Sequence, residues 1–140
     1  YSKLGHVKRS ASYNKTNNEK IILNKNEKYL IKKIEKNLIK LKDLIYEFDS
    51  TPIFITQRTL RWKKVNEQIY SIEGENFYRN EKIRSDAILN FCRNYNLICI
   101  DMFGNFDLNN DDTYDLVHLN PSGAEKLSNE IYNKIKNIIF

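Results

Sequence analysis

The sequence predicts an α/β protein in which helices cover both faces of a parallel sheet. Two short apolar segments, 51–56 and 97–101, each follow a segment with helical periodicity, and a third helical segment ends the chain. Strands that are apolar along their whole length are typical of a parallel sheet covered on both sides. Alternating helices and strands with short links favour right-handed parallel crossovers.

Length and charge limit the classes to which this protein can belong. The 140 residues suffice for one modest domain and not for two. The chain begins with Tyr1, so the sequence leaves open whether a signal peptide or a further half-domain precedes it. No apolar run could span a bilayer, so we expect no membrane span. Lys and Asn are abundant throughout, so we interpret the net charge of +5 as a solvated polar surface and expect no nucleic-acid partner.

The first predicted part of the chain is an irregular polar arm, residues 1–26. It is rich in Ser, Asn and Lys, a composition that does not form a core of its own. We interpret His6 within it as exposed rather than catalytic. The serines of the arm, Ser2, Ser10 and Ser12, do not lie in the strand-to-helix turn expected of a nucleophile.

The second predicted part, residues 27–140, starts with an amphipathic helix. Apolar residues recur at three- and four-residue spacing up to Phe48, which is the pattern of a helix with one buried face. These residues are Leu30, Ile34, Leu38, Leu41, Ile45 and Phe48. The segment 51–56 is short, β-branched and aromatic, and predicts a buried strand with Pro52 at its start, where a missing donor is tolerated.

A basic segment with a single Trp follows this strand, at residues 57–64. In an open α/β sheet, loops at the carboxyl ends of the strands line the ligand crevice. Arg58, Arg61 and Trp62 are therefore candidate substrate-binding residues. The alternative interpretation is a surface loop with a partly buried Trp. The remainder up to Gly74 is predicted to be irregular and to fold over the surface.

A second helix and strand come next along the chain. The segment 77–95 has a buried helical stripe, and the apolar segment 97–101 predicts a second buried strand. Cys92 and Cys99 fall in these two elements. Neither has a Cys or His neighbour at metal-ligand spacing, so we interpret both as buried small hydrophobic residues rather than as partners.

Residues 102–114 predict a loop rich in Gly, Asn and Asp, and a last helix follows. The loop acids Asp107, Asp111 and Asp112 do not match the spacing of a calcium-binding EF-hand, so we expect no metal site. The last helix is predicted to close one face of the sheet with an apolar stripe of Ala124, Leu127, Ile131, Ile135 and Ile138.

The residues with the clearest chemistry stand just before that helix. His118 follows Asp115 by three residues, and Asn120 and Pro121 suit the N-cap and the first position of a helix. A carboxylate that faces an imidazole fixes its tautomer and stabilises the imidazolium. We therefore expect Asp115 and His118 within hydrogen-bond distance, in a loop at the carboxyl edge of the sheet, as a general base and its orienting partner. The alternative interpretation is a polar loop that caps a helix.

The block from Asp115 to Gly123, Asp-Leu-Val-His-Leu-Asn-Pro-Ser-Gly, resembles the last sequence block of the SGNH (GDSL-like) hydrolases. The upstream order of helix, strand, helix and strand also agrees, so the resemblance covers residues 27–140. It implies a three-layer α/β/α fold with a parallel sheet, flavodoxin-like, of which this chain holds the C-terminal part. It also implies His118 as the general base and Asp115 as the orienting carboxylate of a Ser-His-Asp triad.

The resemblance implies an activity as well, the hydrolysis of carboxylic esters. The substrates would be small acylated compounds, carbohydrate esters among them, with no cofactor. The family's Gly-Asp-Ser and Gly-x-Asn-Asp blocks do not occur in these 140 residues, so we expect the nucleophile to come from coding sequence upstream. The alternative is a catalytically incomplete binding or structural module. A nucleic-acid-binding protein is supported by net charge alone.

Overall fold

The computed structural model describes residues 12–16, 21–72 and 77–139. These residues form a mixed α/β structure with four α-helices, a two-stranded parallel sheet and a three-stranded antiparallel sheet. The helices are α1 (Lys25–Glu47), α2 (Phe77–Tyr95), α3 (Met102–Asn105) and α4 (Pro121–Ile139), with a 3-10 turn at Asn110–Asp112. The strands are β1 (Tyr13–Lys15), β2 (Ile53–Ile55), β3 (Trp62–Val65), β4 (Gln68–Ile72) and β5 (Ile98–Ile100). None of the helices described is long and apolar enough to cross a membrane.

The described chain divides into two compact units. The first, here called the parallel-sheet unit, contains residues 21–58 and 79–105. The second, the hairpin unit, contains residues 12–16, 59–72, 77–78 and 106–139.

The parallel-sheet unit confirms the two predicted strands and their parallel pairing. Ile53 of β2 lies opposite Ile98 of β5, and the pairing continues to the end of both strands. Helix α2 has the predicted bounds. Phe54 and Phe91 meet edge to face with ring centroids 5.6 Å apart, and both are buried with Cys92 in the core of the unit.

Helix α1 is confirmed, but its buried face differs from the predicted stripe. Leu38 and Ile39 pack against the core, whereas Leu41 is 46% exposed and Phe48 is 75% exposed. Ile39 was not part of the predicted stripe. At 100° per residue, Leu41 lies about 200° around the helix from Ile39, which is close to the opposite side. The contact with the core therefore turns Leu41 towards solvent.

A capping box starts α1 two residues earlier than the sequence predicted. The Asn24 side chain accepts a hydrogen bond from the Glu27 backbone N–H at 2.9 Å, and Glu27 accepts one from the Asn24 N–H at 2.8 Å. Glu27 also accepts from the Arg79 guanidinium at 2.7 Å, which ties the start of α1 to α2.

Two corrections concern the segment predicted to be a basic loop and an irregular surface segment. Residues 62–72 form a β-hairpin in which Val65 pairs with Gln68 across a two-residue turn. The turn residues Asn66 and Glu67 have φ of 47° and 64°. Positive φ at both positions is what a type I′ hairpin turn requires. The inward residues of β4 are Ile69 and Ser71. Because Ser71 is polar although buried, the sequence of this strand does not alternate between apolar and polar residues.

The arm 1–26 is not wholly irregular. Tyr13–Lys15 form β1, which pairs antiparallel with β4, so that Tyr13 lies opposite Ile72. Hydrogen bonds to a strand more than fifty residues away order this polar segment, and its own composition does not indicate them. Of the N-terminal residues considered as sites, Ser12 is exposed, and His6, Ser2 and Ser10 lie outside the described residues.

The segment predicted as a Gly-, Asn- and Asp-rich loop contains α3 and the 3-10 turn. Four apolar side chains of this segment are buried: Met102, Phe103, Phe106 and Leu108. Their burial explains why the chain is ordered here in spite of its polar composition.

The interpretation of the cysteines as unpaired is wrong. Cys92 and Cys99 form a disulfide, with their Cα atoms 6.0 Å apart. Asn96 takes a φ of 52°, and the Leu97 N–H donates to the Cys92 carbonyl at 2.8 Å. This tight helix end brings the last turn of α2 beside β5, within the Cα separation that a disulfide needs.

Helix α4 begins at Pro121, as predicted, but not all of its predicted burial is confirmed. Leu127, Ile131 and Ile135 are partly buried, whereas Ala124 is exposed and Ile138 is 48% exposed. In the first turn the residue that faces inward is Gly123 rather than its neighbour Ala124.

Candidate active site

Backbone hydrogen bonds close the loop between the 3-10 turn and α4. Thr113 and Leu119 form an antiparallel bridge, and the Tyr114 N–H donates to the His118 carbonyl at 2.9 Å. The Leu60 N–H donates to the Leu116 carbonyl at 2.9 Å, which attaches the loop to the chain just before β3. The loop that carries Asp115 and His118 is thus held at both ends and in its middle.

Asn120 starts α4, as the sequence predicted. Its side-chain oxygen accepts from the Gly123 N–H at 2.9 Å, which is the standard N-cap contact. Its side-chain amide also donates to the Asp111 carbonyl at 2.7 Å, and its N–H donates to the Asp112 carbonyl at 3.0 Å. One residue therefore joins the helix start to the 3-10 turn.

Asp112 supports this junction as part of a nearly buried ion pair. Its side chain is 8% exposed and accepts from the Asn109 N–H and the Lys126 ammonium, each at 3.0 Å. Burial raises the pKa of Asp112, but the hydrogen bonds from Asn109 and Lys126 outweigh burial and leave that pKa below its ordinary value. In the part of the chain that the structure describes, no three His, Cys, Asp or Glu side chains are placed to hold a metal ion.

The structure brings Asp115 and His118 together. Asp115 Oδ1 accepts from the backbone N–H groups of Val117 at 2.7 Å and His118 at 2.8 Å, and Oδ2 lies 2.7 Å from His118 Nδ1. A carboxylate has no proton to give, so Nδ1 donates and Nε2 is the proton acceptor of the neutral ring. These hydrogen bonds from His118 and Val117 hold the pKa of Asp115 well below its usual range.

The Asp115–His118 pair is open to solvent. The His118 side chain is 75% exposed and the Asp115 side chain 46% exposed. An ion pair this exposed contributes little to stability because water screens it. Its physical effect is to fix the tautomer and orientation of a ring that a hydroxyl can reach.

The alternative interpretation of this loop was a polar loop that caps the helix. The capping residue is Asn120 and not Asp115. Asn120 caps α4, whereas Asp115 binds the N–H groups of its own loop and the imidazole. The position of Asp115 therefore does not follow from helix capping. Its catalytic role stays a prediction.

The three candidate substrate-binding residues have different surroundings. Trp62 is 5% exposed and packs edge to face on Tyr78, with centroids 4.9 Å apart, so it is more deeply buried than the partly buried loop Trp of the alternative interpretation, and it lies in β3. Arg61 is partly exposed, and its guanidinium lies 4.6 Å from the ring centroid of Phe77. Arg58 is partly exposed and belongs to the parallel-sheet unit.

Sequence reasoning missed a polar cluster at the carboxyl ends of the parallel strands. The Thr56 hydroxyl donates to Asp101 at 2.8 Å and accepts from the N–H groups of Met102 and Phe103, each at 2.9 Å. Thr56 and Asp101 are the last residues of the two predicted strand segments and directly follow β2 and β5, and this position is the signal that could have indicated them. Thr56 is 1% exposed, and these contacts order the turn into α3.

A cavity of about 210 Å³ lies in the parallel-sheet unit. Apolar side chains of α1 and α2 line it, among them Ile31, Ile83 and Phe91, together with the carboxylates Glu35 and Asp86. It has neither a histidine nor a hydroxyl in its lining, so it does not hold the hydroxyl–imidazole pair of a Ser-His-Asp mechanism.

Comparison with known proteins finds no matching family model, no matching curated protein and no matching solved structure. The functional argument therefore depends on the residues and the geometry of the Asp115–His118 loop.

Proposed function

We propose that this chain supplies the general base, His118, and its orienting carboxylate, Asp115, to a carboxylic-ester hydrolase of the SGNH type. The observation that carries the proposal is the 2.7 Å hydrogen bond between Nδ1 and Oδ2, formed by an exposed ring and a carboxylate that two backbone N–H groups fix in place. A base needs an accessible nitrogen in the correct tautomer, and this arrangement meets both conditions.

The chemistry follows the order of proton transfers in acyl transfer. Nε2 of His118 accepts the proton of a serine hydroxyl as the oxygen attacks the ester carbonyl, and Asp115 stabilises the imidazolium. The imidazolium then gives that proton to the leaving alcohol. In the second half, His118 takes a proton from water as the water oxygen attacks the acyl carbonyl, and the imidazolium returns that proton to the serine oxygen as the carboxylic acid leaves. No Gly-Asp-Ser block occurs in the 140 residues, so we assign the serine to a segment outside them.

The proposal includes the finer fold, a three-layer flavodoxin-like α/β/α domain. Parallel pairing of β2 and β5, with α2 in the connection between them, supports it. Large apolar side chains on α1 that remain exposed, such as Leu41, Leu44 and Phe48, are expected if further elements of the same domain pack there.

The test is His118→Ala in the intact protein, with p-nitrophenyl acetate as the substrate. We expect hydrolysis to fall by at least about 10³-fold, because the serine loses its base. The fold should persist, since the ring is 75% exposed. His6→Ala, which alters the chain's other histidine, is the control and should keep full activity. Full activity of His118→Ala would refute the assignment.

The second candidate function is a binding or structural module that has lost catalysis. The absence of Gly-Asp-Ser and Gly-x-Asn-Asp from the chain favours it. A fluorophosphonate probe, which labels activated serines, separates the two candidates. The hydrolase predicts labelling of the intact protein that depends on His118, and the module predicts none.

A further inference from the structure

The three-stranded sheet of the hairpin unit has two chemically different faces. Residues directly opposite each other on antiparallel strands share a face, and neighbours along a strand alternate. One face carries Trp62, Ile69 and Ser71, which are 5%, 4% and 4% exposed. The strand residues on the other face, Tyr13 and Ile72 among them, are all exposed or only partly buried.

Register places a row of three side chains across the strands of this open face. Lys63 of β3 pairs with Tyr70 of β4, and Tyr70 pairs with Lys15 of β1. With strands about 4.8 Å apart, the two lysine Cα atoms are roughly 10 Å from each other, with the tyrosine between them. Tyr13 lies beside the row, and the Lys63 ammonium is 4.4 Å from its ring centroid.

The charge of this face is not balanced by acids on its own strands. The residues of the three strands that point this way include no Asp or Glu. Lys64, which points to the opposite face, pairs with Glu67 at 2.6 Å. The open face therefore carries two partly exposed tyrosine rings and two exposed lysines, with the Lys63 ammonium beside the Tyr13 ring.

Two hydrogen bonds connect the open face to the loop of the proposed base. The Tyr13 hydroxyl donates to the Leu60 carbonyl at 2.6 Å, and the Leu60 N–H donates to the Leu116 carbonyl at 2.9 Å. Leu116 is the neighbour of Asp115. A ligand on the tyrosine rings would thus lie on the same framework that carries Asp115 and His118.

We propose that this surface, the tyrosine–lysine face (Tyr13, Lys15, Lys63 and Tyr70), binds an anionic carbohydrate chain. This inference rests on the proposed ester hydrolysis and identifies its substrate class as an acylated acidic polysaccharide. Tyrosine rings offer flat apolar surfaces to the C–H faces of sugar rings, and the lysines complement carboxylate groups. Single-stranded nucleic acid also stacks on aromatic rings, but it has no carboxylic ester for the dyad to cleave.

The experiment measures binding of the protein to polygalacturonate by affinity gel electrophoresis, with dextran as the neutral polymer and polyuridine as the nucleic acid. We expect retardation by polygalacturonate alone. The double variant Lys15→Gln and Lys63→Gln should bind about five- to tenfold more weakly, since each exposed charge contributes a few-fold at most. Lys64→Gln is the matched control, because it removes the same charge from the same strand on the opposite face, and its binding should not change.

Three results would overturn the inference: tighter binding to polyuridine, equal retardation by dextran, or equal weakening by Lys64→Gln. Tyr70→Phe should keep binding and Tyr70→Ala should lose it, with circular dichroism to confirm that both fold. Hydrolysis of p-nitrophenyl acetate by the intact protein separates this inference from the proposed function. Hydrolysis without polygalacturonate binding overturns the tyrosine–lysine face alone, and binding without hydrolysis overturns the esterase.

Discussion

Gly123→Ala tests whether the start of α4 is packed as tightly against the 3-10 turn as the structure indicates. A Cβ atom at this position would lie 2.8 Å from the carbonyl carbon of Asp112, closer still to its oxygen, and 3.0 Å from its Cβ. Carbon atoms in favourable contact are about 3.5–4.0 Å apart. The nearest atoms belong to the backbone, so no side-chain rotation relieves the overlap.

Two effects of opposite sign determine how Gly123→Ala changes the free energy of unfolding. In an ordinary helix interior, replacing Gly by Ala stabilises by about 1 kcal/mol. Here overpacking costs about 1–3 kcal/mol. Moving α4 away also weakens the 3.0 Å hydrogen bond from the Asn120 N–H to the Asp112 carbonyl, a net loss of about 0.5–1.5 kcal/mol. We expect Gly123→Ala to lower the free energy of unfolding by about 1–3 kcal/mol.

Urea unfolding followed by the fluorescence of Trp62 measures this effect, because the chain's single Trp is buried in the hairpin unit, which also contains Gly123. The midpoint should fall by roughly 1 M at an unchanged slope. Ser122→Ala, one residue earlier and exposed, is the control and should stay within about 0.5 kcal/mol of the parent. An equal or higher midpoint for Gly123→Ala would refute the packing argument.

Three further predictions concern the dyad, the start of α1 and the hairpin turn. Asp115→Asn should lower ester hydrolysis of the intact protein by about 10³–10⁴-fold, because an amide N–H facing His118 favours the wrong tautomer. Arg79 and the Asn24 N–H hold the pKa of Glu27 at about 2, below its ordinary 4.5, so its contribution to stability is present above about pH 4.5 and lost as the pH falls towards 2. Glu27→Gln should therefore flatten the acid side of the stability profile, measured by urea midpoints. Glu67→Gly should stabilise by about 0.5–1 kcal/mol, because Gly adopts the φ of 64° without strain.

Each of these predictions has an outcome that contradicts it. Wild-type hydrolysis by Asp115→Asn would show that the carboxylate does not orient the base. An acid profile for Glu27→Gln that matches the parent would remove the role assigned to its ion pair with Arg79. A lower urea midpoint for Glu67→Gly would mean that the ion pair with Lys64 outweighs the relief of backbone strain.

The short-range features of this protein could be predicted from its sequence. Helical periodicity and cap residues act within a few positions, and they located α1, α2 and α4 to within about two residues. The two strands were recognisable as short apolar segments that each follow a helical pattern, although Ile55 is 40% exposed in the structure. The pairing of Asp115 and His118 could be predicted from the sequence because only two residues of a tight loop lie between them.

Only the tertiary structure decided the features that depend on distant partners. β1 is ordered by its pairing with β4, and Tyr13 meets Leu60 across forty-seven positions. The single Trp is 5% exposed and packs on Tyr78, sixteen positions away, although its neighbours in sequence are basic. Burial and cross-strand pairing depend on which surfaces meet, and a local pattern does not contain that information. The contact between Asp115 and His118 could therefore be predicted from the chain, whereas the tyrosine–lysine face forms only when the strands pair.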